Sequence, residues 1–214
     1  MTIRLALSVL ACVALSAPLW ADDAEEGFKP LFNGQNLDGW QGAVNGYLVE
    51  DGAIVCDPKM GGLLYTKDQY GDFHLKFEFK LTPGANNGLG IRTPIGGDPA
   101  YVGMELQILD NNAPQYKGIQ PYQRHGSIYG VVPASKDALK PVGEWNQQEV
   151  IAKGKHIKVI LNGETIVDAN IEEASKNGTI DGRNHPGLQR DKGHICFCGH
   201  GSRVEFRNLR IKEL

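Results

Sequence analysis

Phe73-His74-Leu75-Lys76-Phe77-Glu78-Phe79-Lys80-Leu81 carries an apolar residue at every odd position and a polar one at every even position. Side chains of a strand point alternately to opposite faces, so this run is a strand with one apolar face and one wet face. That division belongs to an antiparallel sheet with one side on a core. The same period extends outward on both sides. Tyr47-Leu48-Val49-Glu50 leads through Asp51-Gly52 into Ala53-Ile54-Val55-Cys56, a hairpin. After the decisive run come Gly88-Leu89-Gly90-Ile91-Arg92 and Tyr101 to Leu109. Further strands are read at Glu149–Lys153, Ile157–Leu161, Glu164–Val167, Ile195–Cys198 and Arg203–Lys212. The last run shifts phase at Asn208, which predicts a bulge. Only Ile171 to Lys176 suggests a helical turn.

Glycine, at 27 residues, sits where tight turns need a left-handed backbone, as in Asn45-Gly46, Asp51-Gly52, Asn162-Gly163, Asn177-Gly178 and Asp181-Gly182. About ten short strands with such punctuation, no long helix, no internal repeat and no linker predict one all-β domain. Two antiparallel sheets in a jelly-roll sandwich bury one face of each strand most economically.

The N-terminus reads as an export signal: Arg4, an apolar run from Leu5 to Leu19, then Ala21 before Asp22-Asp23. The run is short for a membrane span and lacks a basic stop-transfer cluster. The expected organisation is a cleavable signal peptide at 1–21, an acidic leader at 22–27 and the domain at 28–214, in a periplasmic or secreted protein. Cys12 as a lipoprotein acceptor fits less well, because it comes very early and follows Leu10. Removing residues 1–21 takes one arginine and no acid from 22 basic and 25 acidic residues, leaving a net charge of −4. That balance excludes a nucleic-acid stripe and suits a small neutral or weakly polar ligand. Cys56, Cys196 and Cys198 remain; Cys196 and Cys198 share a strand face and pair poorly with each other. A bridge from Cys56 to either, or three buried thiols, is equally compatible with an exported chain.

The non-core face of two strands gathers the candidate chemistry. Gly88 and Gly90 stand beside Arg92; Tyr101, Gly103, Glu105 and Gln107 form the face opposite Val102, Met104, Leu106 and Ile108; Asp110 ends that strand. Glycines let a ligand approach the backbone, while a carboxylate, an amide and a guanidinium hold hydroxyls by paired hydrogen bonds. The same types would also form a plain Arg92–Glu105 surface ion pair. His125 follows a loop with Pro114, Pro121 and Tyr122, where reactive groups are often carried. His200 lies between Gly199 and Gly201 on the face of Cys196 and Cys198. Trp40, Trp145, Tyr101, Tyr122 and Tyr129 are rings on which sugar C–H faces can pack, though core packing also accounts for the tryptophans. His185 and His194 match no zinc spacing, and no Gly-x-Ser-x-Gly, P-loop or dinucleotide fingerprint occurs. No cofactor is expected, and the question of a divalent metal stays open.

Several motifs together carry a resemblance. Leu31-Phe32-Asn33-Gly34-x-x-Leu37-Asp38-Gly39-Trp40, Glu105-Leu106-Gln107-Ile108-Leu109-Asp110-Asn111, Gly126-Ser127-Ile128-Tyr129-Gly130, Gly143-Glu144-Trp145-Asn146, Leu161-Asn162-Gly163 and Val204-Glu205-Phe206-Arg207-Asn208-Leu209-Arg210-Ile211 follow in order. This series resembles the 3-keto-disaccharide hydrolase family, formerly a domain of unknown function, over about residues 28 to 214. Cys198-Gly199 departs from it, standing where many relatives carry Gln-Asp before the His-Gly pair.

The resemblance implies a concanavalin A-like jelly roll and cleavage of glycosides oxidised at C3. The ketone acidifies the C2 proton; a base removes it, the C1 oxygen leaves, and water adds to the enone, a route distinct from ordinary glycosidases. Such chemistry needs a base, a donor for the enolate and an acid for the leaving group. On this reading Glu105 or His125 is the base, His200 or Tyr129 serves the leaving group, and Arg92 and Gln107 hold the ketone side. Asp110, Gly88, Gly90, Tyr101 and Trp145 complete the substrate contacts. The competing readings are a non-catalytic carbohydrate-binding jelly roll and a conventional glycosidase. The latter fits poorly, because Glu105 and Asp110 are five residues apart on one strand, roughly 16 Å, too far for a catalytic carboxylate pair.

Overall fold

The computed structural model of the protein describes residues 25–214. The expected signal peptide, Cys12 and the first residues of the acidic leader lie outside the described residues. The leader's last residues lie against the sheet: the Glu25 carboxylate is 2.7 Å from Lys76 Nζ and 3.5 Å from Arg210 Nε.

Among the described residues the strands are β1 (Lys29–Pro30), β2 (Trp40–Gly42), β3 (Tyr47–Glu50), β4 (Ala53–Cys56), β5 (Gly62–Thr66), β6 (Phe73–Leu81), β7 (Asn86–Thr93), β8 (Met104–Leu109), β9 (Trp145–Lys153), β10 (His156–Leu161), β11 (Glu164–Asn170), β12 (His194–Gly199) and β13 (Val204–Glu213). Two short helices are present, α1 (Pro99–Val102) and α2 (Ile171–Ser175). The larger sheet runs β11-β10-β9-β6-β13-β4-β3, with β1 paired to β13; the smaller runs β2-β5-β12-β7-β8. All named pairings are antiparallel. The architecture is the two-sheet all-β sandwich expected from the strand pattern.

The nine-residue run at Phe73 is β6, near the middle of the larger sheet, and its burial alternates along its whole length. Its odd residues enter the core. Its even residues face solvent and pair with neighbouring strands: His74 with Glu149 at 2.7 Å, Lys80 with Glu205 at 2.8 Å and Glu78 with Arg207 at 2.7 Å. The opposite sheet supplies Leu64, Leu89, Ile91, Leu106, Ile108, Ile195 and Phe197 to the same core. Phe197 stacks between Trp40 and Phe206, with ring centroids 5.5 and 3.7 Å away. Removing a ring at such a position costs on the order of 3–5 kcal/mol.

The bulge expected at Asn208 is present: its φ is +53°, and the register of β13 against β6 shifts between Arg207 and Arg210. The strand expected from Tyr101 instead begins at Met104, because Pro99–Val102 is helical. The local chemistry explains this: the Asp98 carboxylate accepts the Ala100 amide proton at 3.1 Å, and Pro99 occupies the first helical turn. Cys56, Cys196 and Cys198 are buried free thiols, so no bridge forms from Cys56. No described helix is long and apolar enough to cross a membrane.

Candidate functional site

The outer face of the smaller sheet forms the floor of a cleft of about 260 Å³, near the lower end of small-molecule sites. In the register of β7 and β8, Gly88 lies opposite Gln107 and Gly90 opposite Glu105. The Glu105 side chain leans across β7 over Gly88, where an added Cβ would come 1.8 Å from its Oε1. From the other side, β12 ends at Gly199 and delivers His200, whose Nε2 is 3.8 Å from that same oxygen. The bare glycine on the intervening strand is what lets groups from β8 and from the end of β12 meet. Gly90 leaves room for Cys196 Sγ, which would lie 2.5 Å from a Cβ there. The two glycines do open the sheet, but to the protein's own side chains.

The walls come from loops and α1. Residues 126–129 run beside β8, with the Tyr129 amide donating to the Glu105 carbonyl at 2.9 Å and the Gly126 amide to the Gln107 carbonyl at 2.8 Å. Tyr129 therefore stands next to Glu105. Its hydroxyl accepts from Gln123 Nε2 at 3.1 Å and keeps its own proton to give. Gln107 donates to Asn86 Oδ1 at 2.8 Å, which leaves a second amide proton. Asp98, which caps α1, and Tyr101 within it, with Tyr116 and Ile119, close the lining.

Glu105 is 6 % exposed, and its Oε1 has no hydrogen-bond partner in the protein. Burial pushes it above the usual carboxylate range; His200 pulls the other way and only partly offsets this. At 3.8 Å the two form an ion pair rather than a hydrogen bond. The Glu105 carboxylate raises the His200 imidazole above its ordinary value, against the opposing effect of partial burial. A raised carboxyl and a raised imidazole side by side can exchange protons with a bound molecule near neutral pH. Gly88→Ala is expected to push the carboxylate off this floor and lower activity on a glycoside substrate at least about tenfold, with secondary structure retained by circular dichroism; unchanged activity would show that Glu105 needs no such bed.

Four residues expected in the site lie elsewhere. Arg92 is fully buried and donates to the Gly71 carbonyl at 3.0 Å, the Gly154 carbonyl at 2.7 Å and Asp72 Oδ1 at 3.1 Å. Its φ is +49°, and the β12–β7 register shifts between His194 and Cys196. This irregularity breaks the alternation that would have aligned Arg92 with Gly88 and Gly90. His125 is in the core: its ring stacks on Phe79 at 5.0 Å, Nε2 lies 3.0 Å from Gln148 Oε1, and Nδ1 accepts the Leu109 amide at 3.4 Å. Its loop pairs with β8 and turns the ring inward. Asp110 accepts the Gly84 and Asn112 amides at 2.9 and 3.2 Å and organises two loops. Trp145 lies on the outer face of the larger sheet beneath Arg207 and Lys80, 3.9 and 4.8 Å from its ring centroid.

Burial lowers the His125 imidazole from 6.5 to about 4. The neutral ring is the folded form, so its contribution is complete above pH 6.5 and is lost as pH falls through about 4. The stake is on the order of 3 kcal/mol. Urea midpoints of the parent and His125→Gln should lie furthest apart at pH 7 and converge by pH 4.5. An equal gap at both pH values would contradict this placement.

Asn86, Asp98, Gln123, Tyr116 and Ile119 line the cleft without having been singled out from the sequence. Asp98-Pro99 was legible as a helix start; Asn86 opens β7 and the others stand outside the strands, where no periodic signal marks them. Among the described residues no group of three or more His, Cys, Asp or Glu side chains converges as metal ligands.

Comparison with known proteins identifies the family and the fold. A family model described as a 3-keto-alpha-glucoside-1,2-lyase-like domain matches residues 27–212. A 3-keto-disaccharide hydrolase of Bacteroides thetaiotaomicron is 27 % identical over 241 aligned positions, covering 94 % of this chain and 82 % of that protein. A crystal structure of a candidate glycosyl hydrolase from Parabacteroides distasonis superposes with a TM-score of 0.77 at 31 % identity, over 87 % of this chain and 99 % of the other. A second such protein from the same organism gives 0.76 at 29 % identity, over 88 % and 94 % of the two chains. A Bacillus subtilis protein with a galectin-like fold, 13 % identical with a TM-score of 0.56 over 87 % of this chain and 94 % of that one, shares the architecture alone. With nearly the whole described chain matched, this protein belongs to the 3-keto-alpha-glucoside-1,2-lyase-like domain family.

Proposed function

We propose that the protein is an exported enzyme that cleaves glycosides of 3-keto sugars by elimination and hydration. The observation that carries this reading is Glu105, a buried carboxylate that lines the cleft and whose Oε1 has no partner in the protein and lies 3.8 Å from His200 Nε2. Buried polar atoms are ordinarily satisfied, so an orphan acceptor at a cleft floor is suited to take a substrate proton. The names of the family and of the Bacteroides relative support the substrate class. The N-terminal signal pattern supports export.

Glu105 takes the proton from C2, and the C2–H electron pair passes into the adjacent ketone as an enolate. Gln107 and Tyr129 donate hydrogen bonds to the developing oxyanion. The enolate pair then forms the C1–C2 double bond while the C1–O bond breaks. The departing oxygen takes a proton from the His200 imidazolium, which its carboxylate neighbour favours at neutral pH. Water adds across the enone, its hydroxyl to C1 and a proton to C2, giving a free 3-keto sugar and an alcohol. Neutral His200 takes the proton that water loses as its hydroxyl adds to C1, and protonated Glu105 returns its proton to C2, so both residues end in the protonation states in which they began.

Incubation with a 3-keto-glucoside and with its unoxidised parent tests the assignment, with enone absorbance and released sugar as readouts. Turnover of the keto form alone, with a transient enone, is the expected result. Cleavage of the parent alone would replace elimination with a conventional hydrolysis, and binding of either without turnover would make the protein a carbohydrate-binding module.

A further inference from the structure

The segment that follows α2 builds the rear of one cleft wall. His185 is buried, with Nδ1 3.0 Å from the Ala100 carbonyl and Nε2 3.1 Å from both Asp181 oxygens. Its ring packs 4.8 Å from the Tyr101 ring. The Asp181 amide reaches the Gly130 carbonyl at 3.3 Å. Gly130 has a φ of +72°, and a Cβ there would lie 2.4 Å from Asp181 Oδ2 and 2.8 Å from His185 Cε1. The Asp181–His185 pair thus ties α1, which carries Tyr101, to the turn that carries Tyr129. Burial raises the Asp181 carboxyl, but the Arg183 amide, His185 and Thr179 together bring it below its usual value.

That arrangement leaves the Arg183 guanidinium without the nearby carboxylate. The nearby carboxylate is occupied by His185 and by the Arg183 amide itself, at 3.0 Å. Arg183 Nη1 donates to the Tyr101 hydroxyl, and the guanidinium lies 5.0 Å from the centroid of the Tyr101 ring. Arg92, Arg203, Arg207 and Arg210 each reach a carboxylate, whereas Arg183, like Arg124 and Arg190, has none within 4.0 Å among the described residues. The other donors of its fork have no partner there either. Its side chain is exposed, and its contacts are to an aromatic ring that lines the cleft. A planar fork with an unused edge matches the two oxygens of a carboxylate, sulfate or phosphate.

We propose that Arg183 and the Tyr101 ring form a second subsite at the cleft mouth, which takes the leaving-group half of the substrate and selects one bearing an oxyanion. This rests on the glycoside-cleaving reading above, with Glu105 and His200 acting on the keto sugar and Arg183 outside them.

Two 3-keto-glucosides with isosteric aglycones, 4-carboxyphenyl and 4-carbamoylphenyl, test it. The parent protein should favour the carboxylate in kcat/KM by about three- to tenfold, the range for a charge-assisted contact at a partly exposed site. Arg183→Gln should bring the ratio close to one, and Arg183→Lys should leave it in between. Titration calorimetry of both compounds with Glu105→Gln reads the same preference as a ratio of Kd, independently of turnover. If the parent cleaves neither compound, the reaction assigned above is wrong, and the Kd ratio alone then decides the subsite. A ratio of one in the parent, a ratio that Arg183→Gln leaves unchanged, or equal weakening of both compounds by that substitution would overturn selection of an oxyanion.

Discussion

Glu105→Gln is expected to lower kcat on a 3-keto-glucoside by about three orders of magnitude, within the range for loss of a general base, while the sandwich stays folded. The amide keeps the shape of the side chain over Gly88 but cannot accept the C2 proton. Stability should hold or rise, because the charge removed is buried and its Oε1 is unsatisfied. The sign follows from the raised carboxyl. A carboxyl raised by folding contributes stability below its unfolded value and loses it as pH rises through the folded one. The melting temperature of Glu105→Gln relative to the parent should therefore be higher at pH 8 than at pH 4. The parent's kcat/KM should follow a bell-shaped pH profile, its acid limb above the ordinary carboxylate value and its alkaline limb above the ordinary imidazole value. The two limbs belong to the Glu105–His200 pair jointly. Normal turnover by Glu105→Gln would remove Glu105 from the mechanism.

Arg92→Met should be the most damaging of the single changes considered to stability and nearly silent in chemistry. The guanidinium is fully buried and spans the Gly71 carbonyl, the Gly154 carbonyl and Asp72. Methionine fills part of the volume but leaves those acceptors without their donor. Breaking a buried charge network in this way costs about 3–5 kcal/mol, or roughly a 10 °C drop in Tm for a chain of this size. Activity per folded molecule, measured well below the melting transition, should stay within about twofold of the parent, because Arg92 does not line the cleft. A stable variant with a sharply raised KM would instead restore the substrate-binding role expected from the residue type.

The contrast between these two residues shows where sequence reading reaches its limit here. Glu105 and Gln107 lie on a regular strand, so parity alone placed them on the outer face. Arg92 shares the parity of Gly88 and Gly90, but a positive φ and a register shift intervene, and parity does not survive a bulge. His125 and Trp145 carried the chemistry of a site without its position. For His125, the pairing of residues 126–129 with β8 decides which way the ring turns, and that pairing is a long-range event.

The alternation of Phe73–Leu81 and the Asn-Gly and Asp-Gly turns determined a two-sheet antiparallel fold, because burying one face of each strand leaves few other solutions. The ordered motifs pointed to the family for the same reason that single motifs do not: six in register are hard to produce by chance. Tertiary structure alone decided that Glu105 and His200, 95 positions apart in the chain, meet across a bare glycine, and that the Arg183 guanidinium rests on the Tyr101 ring while Asp181 pairs with His185. Those are contacts between strands and loops whose separation in space depends on register, twist and bulges, and local sequence periodicity carries none of these.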